Sequence, residues 1–207
     1  MMVADTPKSL QFSEVRAARV AMLRNVHMLP LTALVEEIRR AERLPQEIPF
    51  FDPLDGGVEA KVLFVLEAPG PRALASGFVS RNNPDDTAKN MFQLLQEAGF
   101  ERRETLLCNI VPWYIGTGKK IRPANRSDML RGLAYLKALI GLLPRLQCII
   151  LLGRNTAAMR PKIAELSPVP IFETPHPSPL FVNNKPGNWN LLLASFRAIR
   201  CQVFSAS

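Results

Sequence analysis

Lys61-Val62-Leu63-Phe64-Val65-Leu66 is one charge followed by five apolar residues, and it runs directly into Glu67-Ala68-Pro69-Gly70. Hydrophobicity that is continuous rather than alternating marks a strand covered on both faces, as in a parallel sheet. Three further runs have the same character: Leu106-Leu107-Cys108-Asn109-Ile110-Val111, Cys148-Ile149-Ile150-Leu151-Leu152 and Val169-Pro170-Ile171-Phe172. Helical patterns fall between them. Thr87 is placed to cap a helix with Met91, Leu94, Leu95 and Ala98 on one face, stopped by Gly99. Ser127 is placed to cap another, carrying Leu130, Leu133, Leu136 and Ile140 before Pro144 breaks it. Asn155 or Thr156 opens a short third, and Asn188 precedes a last helix with Trp189, Leu192, Leu193, Phe196 and Ile199. This alternation predicts an α/β fold, a three-layer αβα sandwich with a central four-stranded parallel sheet.

At 207 residues, 47% of them hydrophobic, the chain can bury one substantial core. Residues 30–207 are expected to form that domain, opening with an amphipathic helix that carries Leu31, Leu34, Val35 and Ile38. Residues 1–29 read as an N-terminal extension, helical over 9–28 behind a polar and loose opening. No apolar run is long enough to span a bilayer, and nothing at the start reads as a signal peptide. An intracellular monomer without membrane contact is therefore expected.

The formal charge of +8 favours a polyanionic partner, although a surface tuned only for solubility accounts for it too. The three cysteines, Cys108, Cys148 and Cys201, lie far apart, no C-x-x-C pair exists, and His27 and His176 are the only histidines. A zinc or iron–sulphur site is not expected, nor any cofactor.

In parallel α/β sheets ligands bind outside the carboxyl ends of the strands. Here those ends are Glu67-Ala68-Pro69-Gly70, Asn109 with Pro112-Trp113-Tyr114, Gly153-Arg154-Asn155-Thr156, and His176-Pro177-Ser178-Pro179-Leu180. Each has an ordinary explanation when taken singly. Pro-Gly makes a turn, Asn109 is a buried amide, His176 is a satisfied loop residue and Phe78 is core. Their convergence on one rim of the sheet is what points to a site. No P-loop and no G-x-G-x-x-G follows the first strand, which weighs against a general nucleotide-binding domain.

With E-A-P-G after the first strand, C-N-I-V-P-W-Y at the second, L-L-G-R at the third and H-P-S-P-L after the fourth, the chain resembles the uracil-DNA glycosylase superfamily. G-F-V-S-R resembles the segment that supplies that family's base-stacking ring, and the likeness covers roughly residues 30–200. It is closest to the family 4-like branch, with departures. Leu66 stands where a glycine usually opens the first motif, the iron–sulphur cysteines are absent, and Ala68 replaces the catalytic Asp of family 1.

The resemblance implies excision of uracil or related damaged bases from DNA, leaving an abasic site. Asn109 would read uracil O4 and N3–H, an edge on which cytosine presents the opposite pattern. Phe78 would stack on the base, with Ala68 and Gly70 lining the pocket and offering backbone N–H groups. His176, as neutral imidazole, would donate to O2 of the departing anion. Glu67 is the first choice for positioning water, and Asp86 or Asp85 in the Asn82–Asp86 loop is the alternative. Those aspartates serve equally well as a solvated turn or a helix cap. Leu180 resembles the wedge that fills the vacated base stack, beside Ser178. Lys119, Lys120, Arg122, Arg126 and Lys185 are candidate phosphate contacts, or simply a solvated basic surface. A protein that grips uracil-containing or abasic DNA without turnover is the competing reading.

Overall fold

The computed structural model describes residues 4–44, 46–116 and 122–204. In chain order the elements begin with α1 (Ser13–Met22), α2 (Leu29–Glu42), β1 (Phe50–Phe51), β2 (Val62–Leu66), α3 (Pro71–Ser76), β3 (Phe78–Val79) and α4 (Asp86–Glu97). They continue with β4 (Thr105–Asn109), α5 (Arg126–Gly141), β5 (Cys148–Leu152), α6 (Arg154–Ala157), α7 (Arg160–Ala164), β6 (Ile171–Thr174), α8 (Pro179–Val182) and α9 (Asn188–Phe204).

The main sheet has the order β4-β2-β5-β6, and every pairing is parallel. Alternation along β2 sends its side chains into two separate cores. Leu63 and Val65 join Leu106, Cys108, Ile149 and Leu151 beneath Leu34 and Ile38 of α2 and Leu136 and Leu139 of α5. Val62 and Phe64 join Leu107, Ile150 and Leu152 beneath Met91, Leu94 and Leu95 of α4 and Leu192, Phe196 and Ile199 of α9. The chain thus forms the three-layer αβα sandwich. Burial on both faces is why the strand runs are continuously apolar.

Local boundaries differ from the sequence reading where a side chain two residues upstream makes the better cap. Asp85, not Thr87, caps α4, its carboxylate accepting from the Ala88 N–H. Asn125, not Ser127, caps α5 in a capping box with Asp128. The last strand sits at Ile171–Thr174, two residues later than the run centred on Pro170, because proline supplies no donor to the ladder.

The opening segment is not loose from residue 4 onward. Arg19 of α1 is fully buried and donates to Asp52 at 2.5 Å. Arg102 reaches Asp52 at 2.8 Å and Asp55 at 3.0 Å, and also pairs with Asp5. Arg81 lies 3.4 Å from Asp55, and Asn82 donates to the Thr6 carbonyl. Three arginines and three aspartates therefore knot the N-terminal residues to the loops after β1 and β3. Beside them Leu10 and Leu23 pack on Phe78.

Candidate functional site

β2 ends at Leu66, and the chain turns through Ala68-Pro69-Gly70 into α3, with Pro71 at the first helical position. α3 ends on Gly77, whose φ of 81° suits glycine, and the chain enters β3 and the loop 80–85. That loop is held internally. Ser76 Oγ donates to Asn83 Oδ1 at 2.6 Å, and Asn83 Nδ2 donates to the Phe78 carbonyl at 2.9 Å. Ser80 donates to Asp52, which ties the loop to the buried ion cluster.

These turns enclose a cavity of about 360 Å³ at the carboxyl ends of β2 and β4. Ala68, Pro69 and Gly70 after β2, Asn109 at the end of β4, Val79, Ser80 and Asn83 from β3 and the loop behind it, and His176 after β6 all line it. A Cβ added at Gly70 would meet nothing within 4 Å, so its missing side chain widens the cavity. Asn109 is the last residue of β4, and among the described residues its carboxamide has no hydrogen-bond partner. It can therefore offer both a donor and an acceptor to a ligand.

His176 follows β6 and is backed by Gly153, where the backbone adopts φ 95° and an added Cβ would lie 3.1 Å from the His176 Cβ. Any larger residue would be strained there and would push the imidazole. Burial holds His176 below the ordinary histidine range, only partly offset by the nearby Glu67 carboxylate. The imidazole is accordingly neutral at pH 7 and can donate one N–H. Asn90 of α4 donates to the Pro177 carbonyl at 2.9 Å, fixing the loop that carries it.

Glu67 does not line this cavity. Its Oε1 accepts from the Ala124 N–H at 2.6 Å and its Oε2 from Asn155 Nδ2 at 2.7 Å, so it ties its own loop to the segment before α5 and to the start of α6. Of the two aspartates, the alternative is the one brought to the cavity. Asp85 lines it, and burial raises its carboxyl despite the Ala88 and Thr87 N–H groups. Asp86 faces solvent and pairs with Lys8 at 2.7 Å, because the cap turns residue 85 inward and residue 86 outward.

Phe78 is also placed differently from its expected position. It is 1% exposed, packed among Leu10 and Leu23, and absent from the cavity wall. Successive residues of a strand face opposite ways, so Val79 takes the cavity side. The sequence reading missed Ser80 and Asn83 on that wall, and Arg72 at its mouth. The only sequence signal for Ser80 and Asn83 is the polar run Ser80-Arg81-Asn82-Asn83 after an apolar pair.

His176 also borders a second, more open hollow of about 760 Å³, with Arg154, Ser178, Leu180 and Asn184. Leu180, at 86% exposure, is the most exposed large apolar side chain described, while Ser178 caps α8. Arg126 and Lys185 are exposed, and Arg122 is paired with Asp128 at 2.5 Å. Lys119 and Lys120 lie outside the described residues.

Among the described residues no three His, Cys, Asp or Glu side chains are grouped to hold a metal. Three cysteines, two buried on β4 and β5 and one exposed on α9, cannot supply the four thiolates of an iron–sulphur cluster. Nor, among the described residues, is any helix long and apolar enough to cross a membrane.

The family model described as the uracil DNA glycosylase superfamily matches residues 53–197, well over half of the chain. No curated protein matches it. The matched span contains β2, β4, β5, β6 and every residue placed on the cavity wall, and by that match the chain belongs to the uracil DNA glycosylase superfamily.

Proposed function

We propose that the protein is a monofunctional DNA glycosylase that flips uracil or a related damaged base out of DNA and excises it by hydrolysis. The observation that carries this reading is that the carboxamide of Asn109, without a hydrogen-bond partner among the described residues, and the neutral His176 line one cavity at the carboxyl ends of the sheet. Cavity size supports it, since about 360 Å³ lies within the range of small-ligand pockets. A base inside a duplex is beyond reach of such a pocket, so the nucleotide must turn out, at a cost of a few kcal/mol.

The amide of Asn109 complements O4 and N3–H of uracil together. Cytosine would leave both pairs mismatched, which costs about 1–3 kcal/mol for each unsatisfied buried group. As the C1′–N1 bond breaks, its electron pair moves onto the pyrimidine ring and positive charge develops on the sugar. His176 donates a hydrogen bond to O2 of the departing anion, aided by backbone N–H groups near Ala68 and Gly70. A donor preorganised in this way contributes roughly 3–4 kcal/mol in other enzymes. Water then adds to C1′ and gives up a proton, and the products are the free base and an abasic site.

Asp85 is the better-placed carboxylate for guiding that water, because it lines the cavity; Glu67 has both oxygens engaged in bracing the rim. Val79 and Ser80, rather than Phe78, contact the base face. Leu180 fills the gap in the base stack, and Arg126 and Lys185 meet phosphates.

The test is a labelled oligonucleotide with one uracil, incubated with the chain without added metal and then treated with alkali. Multiple-turnover cleavage that collapses in both Asn109→Ala and His176→Ala is expected. Tight binding without base release would replace this reading with a damage-binding protein. Neither binding nor release, on uracil or hypoxanthine, would overturn both.

A further inference from the structure

We infer that Arg72, Arg16 and Lys8 form a phosphodiester-binding subsite beside the base cavity, half of it built by N-terminal residues that the family match does not reach. The inference rests on the proposed action on DNA and adds a strand contact to it. A cleft of about 420 Å³ lies between the N-terminal segment and α3, and Lys8, Arg16, Arg72 and Ser76 line it. Arg72 lines both this cleft and the base cavity. The partition between the two is thin, because Ser76 on one side hydrogen-bonds Asn83 on the other at 2.6 Å.

The three cations are set up differently. Arg72 is exposed and has no partner among the described residues. Arg16 is fixed by its Nη1, which donates to the Leu10 carbonyl at 3.0 Å and the Gln11 carbonyl at 2.9 Å. Its Nη2 and Nε remain available for a bidentate contact with an anion. Lys8 holds the left-handed backbone conformation at φ 64°, unusual for lysine, and its ammonium is already bonded to Asp86 at 2.7 Å. Three positive groups thus line one cleft, and of them only Lys8 is paired with a carboxylate among the described residues.

A nucleotide turned into the base cavity drags its flanking phosphates to the cavity mouth, where Arg72 stands. The adjacent cleft can then hold a neighbouring phosphate of the same strand. Such contacts add affinity and register but read no sequence.

The experiment measures binding of the full chain to a single-stranded oligonucleotide containing one stable abasic analogue, over a range of KCl concentrations. Each lost phosphate contact lowers the slope of log affinity against log salt by about 0.7 on single strands. Arg72→Ala and Arg16→Ala are each expected to show that loss. Wild-type affinity should then fall about threefold further than either variant's between roughly 50 and 200 mM salt. Arg72→Lys should keep the wild-type slope. Arg145→Ala, which removes a cation paired with Glu59 at the opposite end of the sheet, should keep it as well. Coincident slopes for wild type, Arg72→Ala and Arg16→Ala would overturn the subsite, as would an equal loss in Arg145→Ala. A wild type that excises uracil while those slopes coincide overturns only the subsite. A wild type that neither binds DNA nor excises uracil overturns the glycosylase reading and the subsite with it.

Discussion

Asn109 and His176 line one cavity, and their chemistry predicts different losses on truncation. In the proposed mechanism Asn109→Ala removes recognition of one base edge, and kcat/KM on uracil should then fall roughly 10- to 100-fold, the equivalent of about 1–3 kcal/mol. In the proposed mechanism His176→Ala removes a donor used chiefly in the transition state, and single-turnover base release should then slow roughly 10²- to 10³-fold. The His176 shift also has a pH signature. Because burial depresses its pKa below the usual 6.5, protonation is confined to more acid pH. Base release should therefore stay level as pH falls from 8 to about 6.5, the ordinary histidine value. The limb attributable to His176 should appear only below that. A His176-dependent limb centred above 6.5 would show that the imidazole is not held neutral by its surroundings.

At the scale of the element, α4 links stability to the site through Asp85. The carboxylate caps the helix and lines the cavity, so Asp85→Ala should lower stability by about 1 kcal/mol. For a chain of this length that is a fall of about 2–4 °C in Tm, with base release slowed as well. Asp86→Ala, at a solvated position, should leave both nearly unchanged, and calorimetry beside the alkali assay separates the two residues. Reversed behaviour would return Asp86 to the site. α8 presents Leu180 to solvent, where it contributes no core. Leu180→Ala should leave Tm unchanged but slow excision from duplex more than from single-stranded DNA, since only the duplex has a stack to refill.

Across the whole molecule, the buried arginine–aspartate cluster joins the N-terminal segment to the loop 80–85 beside the cavity. Burial alone would raise the Asp52 carboxyl, but Arg102 and Arg19 outweigh it and hold it below the usual aspartate range. Asp55 is raised by burial in spite of Arg81 and Arg102. Removing one cation leaves buried carboxylates uncompensated, so Arg102→Ala should cost about 3–5 kcal/mol in denaturant unfolding at pH 7. The lowered pKa of Asp52 means that its contribution is present above the ordinary aspartate range and lost as pH falls through its folded value. The gap between wild type and Arg102→Ala should accordingly narrow in acid. A gap independent of pH would mean that the guanidinium acts by packing rather than by charge.

The layers of this protein and the rim that carries its candidate site were legible in the sequence. Doubly covered strands must be continuously apolar, and the ends of β2, β4 and β6 carry Ala68, Gly70, Asn109 and His176 in motifs that neighbouring residues alone specify. Which face a given side chain takes was not legible. Phe78 and Val79 are both apolar, and only the packing of Leu10 and Leu23 decides that the phenylalanine turns to the core and the valine to the cavity. Asp85 and Asp86 are the same residue type, separated only by where α4 begins. The ion cluster was the least visible feature, since Asp5, Arg19, Asp52, Asp55, Arg81 and Arg102 are ordinary surface residues in a linear reading. The sequence by itself determined the αβα architecture, through local hydrophobic pattern, and the family, through contiguous motifs. Tertiary structure alone decided which charges are buried and which side chains meet in the cavity, because both depend on contacts between segments far apart in the chain.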